Sequence, residues 1–232
     1  MTPLEFEPDS KYQYSNAGIN TAARILEVAA AVPYETFLDE RLFRPLGMRD
    51  TTFWPSEEQA ERIAEPYKAG PDNKGLVAMR IEPRHPPLTD RAQRFPKPAG
   101  GLFSTAHDLA RFYQMLLSGG RAPRVPRAGE RSGERSDDRR LLSEAALKQM
   151  TSRQTPPELS ESYGLGIAVG DHSFGHGGAF STNTSADTKP GLILVWLVQH
   201  ADFPGEGAKA QDAFRTAALD AFAAPRPAQP NP

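Results

Sequence analysis

The fold of this chain is decided by one stretch in its last third, YGLGIAVGDHSFGHGGAFSTNTSADTKPGLILVWLVQ, residues 163–199. Short apolar and β-branched runs alternate there with glycine, a pattern typical of strands joined by tight turns. We predict strands at 163–169, 173–178, 180–187 and 192–199. The last two strands flank the turn Thr188-Lys-Pro-Gly191 and are expected to pair as an antiparallel hairpin.

The earlier part of the chain carries helical patterns. Apolar residues recur at helical spacing between polar caps and terminating Pro or Gly. Helices are predicted at 16–31 with Asn16 as N-cap, at 34–42 before Pro45, at 57–63, between Thr105 and Gly119, at 141–150 and at 210–223. The rest of 55–99 is expected to be irregular, and Thr105 with Asp108 resembles a capping box. Helices first and an antiparallel sheet later indicate the α+β class.

Composition limits the possible partners. A chain of 232 residues can bury a core, and its net charge of −2 gives no reason to expect nucleic acid or an anionic membrane. The absence of cysteine excludes disulfides and thiolate metal sites. The longest apolar run, Leu192–Val198, is too short for a membrane span. No signal peptide is visible at the N-terminus.

Two segments are predicted to be disordered. Residues 121–140 consist mainly of Arg, Gly, Glu, Ser and Pro and include a doubled Gly-Glu-Arg-Ser, which is typical of a solvated surface insertion. Residues 223–232 form a proline-rich tail. We therefore interpret residues 1–222 as one partial domain that contains the insertion.

Two short motifs carry the chemistry. The segment Tyr14-Ser15-Asn16 stands near the start, and His176-Gly177-Gly178 stands near the end. They resemble the second and third active-site elements of the serine β-lactamase and penicillin-binding-protein family, in its class C, esterase and D-aminopeptidase branch. Three further segments resemble that family in the same order: 45–51, 100–105 and 163–166. The resemblance implies a β-lactamase/transpeptidase-like fold, an antiparallel sheet flanked by helices.

The resemblance also implies roles for the motif residues. Tyr14 would be the base or proton relay, which needs nearby cations because a free phenol titrates near pH 10. Asn16 would orient an amide or ester substrate, although helix capping alone also explains it. His176 would donate a hydrogen bond to Tyr14 or to a substrate carboxylate. The alternatives left open are an ordinary half-buried tyrosine and an exposed strand histidine.

The segment after His176 is expected to hold the substrate. Gly177 and Gly178 would let the substrate approach the strand closely, because no side chain stands in the way. The backbone N–H of Ala179 would contribute to the oxyanion hole. A metal site at His172 and His176 is disfavoured, since the glycines around them argue against a helix. No cofactor is expected.

The family's first element is absent from this sequence. None of its serines is followed three residues later by lysine, so no Ser-x-x-Lys nucleophile is present. The family places that nucleophile helix and some sheet strands before the Tyr-x-Asn motif. We therefore expect an N-terminally truncated hydrolase that is inactive alone. A full-length form would be periplasmic or secreted and would act on a small ester, amide or β-lactam.

Two other interpretations remain. The chain could be a non-catalytic binding protein that keeps the family cleft, or the product of a broken gene. In each case the strand at 192–198 would lack neighbours and would leave an open apolar edge. The isolated chain is therefore expected to aggregate or to depend on a partner.

Overall fold

The order of the helices and of the C-terminal strands follows the predicted pattern. The computed structural model describes residues 3, 5–79, 88, 90–92, 94–123, 139–201 and 206–222. Its helices are α1 (Asn16–Ala30), α2 (Tyr34–Leu38), α3 (Arg44–Leu46), α4 (Glu57–Glu61), α5 (Ala106–Leu117), α6 (Glu144–Met150) and α7 (Gly207–Phe222). Its strands are β1 (Tyr67–Ala69), β2 (Leu76–Ala78), β3 (Ala168–Val169), β4 (Ser173–Gly177), β5 (Asn183–Asp187) and β6 (Leu192–Trp196).

The main sheet is antiparallel, with four strands in the order β3-β4-β5-β6. The register pairs His176 of β4 with Thr184 of β5, and Thr184 with Val195 of β6. Among the described residues, β6 pairs only with β5 and so forms an edge of this sheet. The α+β prediction is confirmed.

The core lies between α5 and the sheet and supports the strand that carries His176. The ring of Tyr113 in α5 stacks on Phe174 of β4, with 6.0 Å between the ring centroids. The Tyr113 hydroxyl donates to the Thr184 carbonyl of β5 over 3.1 Å. On the other side of β6, Trp196 contacts Phe214 of α7 at 5.4 Å. The buried cluster comprises Phe43, Leu46, Met48, Tyr113, Met115, Leu116, Ile167, Phe174 and Ala186.

The start of α1 differs from the prediction by one residue. Ser15 is the N-cap, because its hydroxyl accepts a hydrogen bond from the Gly18 N–H over 3.2 Å. Asn16 is instead the first residue of the helix. The two residues are both good caps, and only the backbone geometry selects between them. Tyr14 therefore lies immediately outside the helix.

The predicted helix end before Pro45 is wrong. The chain passes from α2 through a π-helical turn, Asp39–Phe43, directly into α3, which contains Pro45. The Arg44 N–H donates to the Asp39 carbonyl, five residues back. A proline in a regular helix removes a donor and clashes with the carbonyl four residues earlier. The wider turn directly before Pro45 is a local adjustment of the kind that lets a helix continue.

The irregular segment predicted over 55–99 contains a hairpin that the sequence pattern missed. Strands β1 and β2 pair antiparallel around a 3-10 turn, Pro71–Asn73. Tyr67 of β1 is also bonded to the chain beyond β6: its N–H donates to Gln199, and its carbonyl accepts from Ala201, each over 2.8 Å. Strands of three residues are too short to show a clear alternating pattern in the sequence. Hydrogen bonds to residues distant in the chain hold this hairpin in place.

The two segments predicted to be disordered fall largely outside the described residues. Only the ends of the 121–140 insertion are described, and there Arg121 and Arg140 form an antiparallel bridge. Residues 124–138 and the tail 223–232 are not described. Within the described part of the chain, no helix is long and apolar enough to cross a membrane.

Candidate active site

The structure brings the two motifs together from opposite ends of the chain. Tyr14 immediately precedes the α1 N-cap, and His176 lies on β4. The centroids of their rings are 5.8 Å apart and the ring planes are inclined by 43°. Tyr14 remains 59% exposed. One face of the site therefore offers an accessible phenol beside an imidazole.

Both ring nitrogens of His176 already have partners. Nε2 lies 2.7 Å from the hydroxyl of Tyr163, and Nδ1 contacts the carbonyl oxygen of Gly177. The ring contact with Tyr14 is made without a hydrogen bond between the two side chains in the described structure. The predicted donation from His176 to Tyr14 would therefore require the imidazole to give up one of these partners.

Sequence reasoning missed two tyrosines of this cluster. Tyr163 packs edge-to-face on His176 with 5.9 Å between ring centroids, and Tyr12 packs on Tyr163 at 5.3 Å. Burial, followed by the nearby Tyr12 and Tyr14, raises the pKa of Tyr163 to about 12. Burial also raises the pKa of Tyr12, with Tyr14 as the next cause. Both phenols therefore stay protonated at neutral pH, and a hydrogen bond joins the side chains of Tyr12 and Tyr163.

A signal for Tyr163 was present in the sequence. It opens the segment Tyr163-Gly-Leu-Gly166, which resembles a segment of the family. Nothing in the spacing indicated that its hydroxyl reaches the histidine thirteen residues later. Tyr12 precedes Tyr14 by two residues, so an extended segment places both side chains on the same side.

The structure leaves the side chain of Asn16 exposed at the start of α1. Among the described residues it makes no hydrogen bond to Tyr14, Tyr163 or His176. Its predicted role in orienting a substrate stays a prediction.

The glycines after His176 differ in what surrounds them. A Cβ placed on Gly178 would lie 2.2 Å from the Thr182 hydroxyl, so that space is filled by the protein itself. A Cβ on Gly177 would meet atoms no nearer than 3.6 Å, an ordinary contact distance. The Gly178 N–H donates to the Thr182 carbonyl over 2.8 Å. Close approach of a ligand to β4 is therefore available at Gly177.

Ala179 follows directly, at the exposed start of the β4–β5 turn. In the described structure its N–H has no backbone acceptor, whereas the neighbouring Gly178 and Ser181 N–H groups are both used within the turn. A free backbone N–H beside an active-site strand is what an oxyanion hole requires. The arrangement is compatible with the predicted role of Ala179.

A small cavity opens next to this cluster. It has a volume of about 230 Å³ and shares Tyr12 and Tyr163 with the aromatic cluster, but it does not include Tyr14 or His176. Its lining is Asp9, Lys11, Tyr12, Gln154, Thr155, Pro156, Leu159, Tyr163 and Gly164. Drug-sized ligands occupy cavities of roughly 300–1,000 Å³, so this one suits only a small group.

Groups that a complete acyl-transfer centre needs are missing from the described residues. No serine hydroxyl there is hydrogen-bonded to Tyr14 or His176, and Tyr14 makes no ion pair or cation–π contact. No group of three or more His, Asp or Glu in that part of the chain could hold a metal ion. The site combines a phenol, an imidazole and a free N–H, which can relay protons and bind an oxyanion.

Known proteins place this arrangement in a family. The sequence matches the Beta-lactamase family over residues 1–218, and the chain belongs to that family. It is 33% identical over 116 residues to the D-alanyl-D-alanine-carboxypeptidase/endopeptidase AmpH of Escherichia coli (strain K12), covering 50% of this chain and 26% of AmpH. It is 24% identical over 217 residues to a putative D-alanyl-D-alanine carboxypeptidase of Salmonella heidelberg (strain SL476), and the match covers 84% of this chain and 47% of that protein.

Solved structures agree on the fold. Simvastatin synthase (LovD) from Aspergillus terreus superimposes with a TM-score of 0.73 at 18% sequence identity, covering 95% of this chain and 57% of that one. The predicted β-lactamase/transpeptidase-like fold is confirmed. The chain spans about half the length of the curated relatives it matches over most of its length, 51% for a Mycobacterium tuberculosis protein and 47% for the Salmonella one.

Proposed function

We propose that this chain supplies the second and third active-site elements of a serine hydrolase that transfers the acyl group of a small ester or amide. The nucleophilic serine and its lysine would come from polypeptide outside these 232 residues. The observation that carries the proposal is the 5.8 Å separation between the rings of Tyr14 and His176, which joins two motifs 162 positions apart. A chance resemblance at either motif would give no reason for such proximity.

Each predicted residue has a task in this reaction. In its phenolate form, Tyr14 accepts the proton of the attacking serine and passes it to the leaving group. The phenolate needs a nearby cation, which the described residues around Tyr14 do not supply. Ala179 donates its N–H to the oxyanion, Gly177 leaves room for the substrate, and Asn16 orients it. His176 forms the wall of the site opposite Tyr14.

The choice of substrate class rests on two considerations. A histidine stands where the class A signature of the superfamily has lysine, which favours esters or small amides over efficient β-lactam hydrolysis. AmpH is named a carboxypeptidase and endopeptidase, so amide cleavage occurs in a relative. The cavity of about 230 Å³ beside Tyr163 would suit a small acyl or leaving group.

The test compares two proteins, this chain alone and the chain extended by any in-frame coding sequence upstream of Met1. Both are assayed with a p-nitrophenyl ester, a chromogenic cephalosporin and a D-amino-acid amide. The extended protein should contain Ser-x-x-Lys and hydrolyse the ester or the amide. The chain alone should be slower by about a million-fold, the effect of removing the nucleophile of a serine hydrolase. Equal activity of the two proteins, or an early upstream stop codon, would contradict the proposal.

Two variants of the extended protein separate the site from the scaffold. Tyr14→Phe removes the relay hydroxyl and should lower kcat by about a hundred-fold or more, the range of general acid–base catalysis. Tyr67→Phe removes the hydroxyl of a partly exposed tyrosine in β1 and should leave kcat unchanged. Equal effects of the two substitutions on kcat would show that the Tyr14 hydroxyl takes no part in the reaction.

A second candidate function is a non-catalytic binding protein. It is favoured by the occupied nitrogens of His176 and by the lack of Ser-x-x-Lys in the chain. Such a protein would bind an ester or β-lactam without turnover, as measured by calorimetry on the chain alone. The absence of binding would leave the first proposal as the better account.

A further inference from the structure

Tyr163 is held in place independently of the histidine that it touches. Its N–H donates to the Thr155 hydroxyl over 3.3 Å, and its carbonyl accepts from the Gln154 N–H over 2.8 Å. Tyr163 also forms an isolated antiparallel bridge with Ala168, directly before the sheet. The phenol is therefore presented to His176 from a fixed backbone.

The partners of the imidazole define where its protons lie. A carbonyl oxygen only accepts, so the contact between Nδ1 and the Gly177 carbonyl requires a proton on Nδ1. In a neutral ring Nε2 then carries the lone pair and accepts from the Tyr163 hydroxyl at 2.7 Å. We infer that Tyr163 is a positioning residue that, together with the Gly177 carbonyl, holds neutral His176 in its Nδ1–H tautomer.

The pair keeps its geometry when the imidazole gains a proton. Nε2–H then donates to the Tyr163 oxygen, while Nδ1–H continues to donate to Gly177, so no ring atom has to move. The Tyr163 hydroxyl proton is released for another acceptor, and Tyr12 packs beside it at 5.3 Å between ring centroids. Among the described residues, the titratable side chains around His176 include Tyr14 and Tyr163, Tyr12 beside Tyr163, and Tyr113, whose hydroxyl accepts a hydrogen bond from the His176 backbone.

This arrangement gives His176 a different task from that of a general base. Neither nitrogen has a lone pair available to a substrate while both partners remain, so Tyr14 is the exposed group that can accept a proton. His176 instead presents a fixed ring, 5.8 Å from the Tyr14 ring. This consequence for catalysis rests on the proposed function, whereas the tautomer does not.

The tautomer is read directly from ¹⁵N–¹H correlation spectra of the ring nitrogens at a pH where His176 is neutral, recorded on the 232-residue chain or, where that chain assembles as expected, on the extended protein. The signals of His176, one of five histidines, are assigned by their loss in His176→Asn. The wild type should show a protonated Nδ1 and a lone-pair Nε2. Protonation on Nε2 instead would overturn the inference.

Two matched variants test the contribution of the phenol. Tyr163→Phe keeps the ring and removes the hydroxyl, and should give averaged signals of two exchanging tautomers. Tyr67→Phe removes the hydroxyl of a partly exposed tyrosine in β1 and should preserve the wild-type pattern. An unchanged spectrum in Tyr163→Phe, in a protein with wild-type urea unfolding, would show that Tyr163 does not position the ring.

Ester hydrolysis by the extended protein tests whether the positioning of His176 by Tyr163 matters for the reaction. In an extended protein that hydrolyses esters, Tyr163→Phe should lower kcat by about tenfold, as expected for loss of one orienting hydrogen bond, and leave KM within about twofold. If the extended protein is inactive, the proposed function fails, while the spectra still decide the role of Tyr163. If it is active and kcat is unchanged by Tyr163→Phe, the positioning role fails alone.

Discussion

The Tyr113 hydroxyl beneath the site should make the stability of the chain depend on alkaline pH in a defined way. Burial raises the pKa of Tyr113 to about 12 from the ordinary 10.0, although a hydrogen bond from the His176 backbone opposes the rise. The side chain is only 5% exposed, so solvent screens this effect little. Tyr113→Phe removes the hydroxyl and keeps the stacked contact with Phe174.

Two effects of opposite sign set the expected difference in unfolding free energy between the wild type and Tyr113→Phe. Near pH 8 the variant should be less stable by about 1 kcal/mol, because the Thr184 carbonyl loses its donor. Since the folded-state pKa of Tyr113 lies above the unfolded value, its protonated form stabilises the fold fully below pH 10. That stability is lost as the pH rises from 10 to 12, by about 3 kcal/mol in total and about 1.4 kcal/mol by pH 11.

The assay is urea unfolding of both proteins at pH 8, 9, 10 and 11, compared as a difference at each pH. All other titrating groups are common to the two proteins and cancel in that difference. The wild type should be more stable at pH 8, and its advantage should vanish near pH 11. A difference that stays constant from pH 8 to pH 11 would refute the reasoning. Tyr67→Phe, at a partly exposed tyrosine, is the control.

Three further outcomes are expected. Asp108→Ala should cost about 3 kcal/mol in urea unfolding, because the buried carboxylate accepts from the Asp50 N–H and the Thr51 hydroxyl, each over 2.8 Å; a loss below about 1 kcal/mol would contradict this. Gly178→Ala should cost about 1–2 kcal/mol through its clash with the Thr182 hydroxyl, and Thr182→Ala should relieve most of that loss in a double-mutant cycle. The isolated chain should sediment as assemblies larger than a monomer because the β6 edge is open among the described residues, and a monomer with a sharp thermal transition would disprove it.

Local signals predicted much of this fold. The apolar stripe of α5 and the glycines after it defined that helix, and Gly119 and Gly120 do adopt positive φ, 69° and 84°. At the N-terminus of the same helix, local sequence signals predicted one capping residue correctly and the partner of another incorrectly. Thr105 caps α5 as predicted, but the Asp108 carboxylate turns to Asp50 and Thr51 in place of completing a capping box.

Local signals likewise predicted some residues of the candidate site and missed others. Tyr14 and His176 were predicted from motifs, and the structure places them in contact. Tyr163 and its hydrogen bond to His176 were not predicted, because they depend on the turn before β3 and not on any local pattern. The β1–β2 hairpin was missed for a similar reason, since bonds to Gln199 and Ala201 hold Tyr67 in place.

The shared site of Tyr14 and His176 is tested most directly by a nuclear Overhauser measurement between their ring protons in the folded chain. Signals are assigned with Tyr14→Leu and His176→Asn, and the Tyr12–Tyr163 pair, at 5.3 Å, serves as the internal reference. A cross-peak between the Tyr14 and His176 rings is expected at their separation of 5.8 Å. A spectrum that shows the reference pair but no such cross-peak would mean that the two motifs do not form one site.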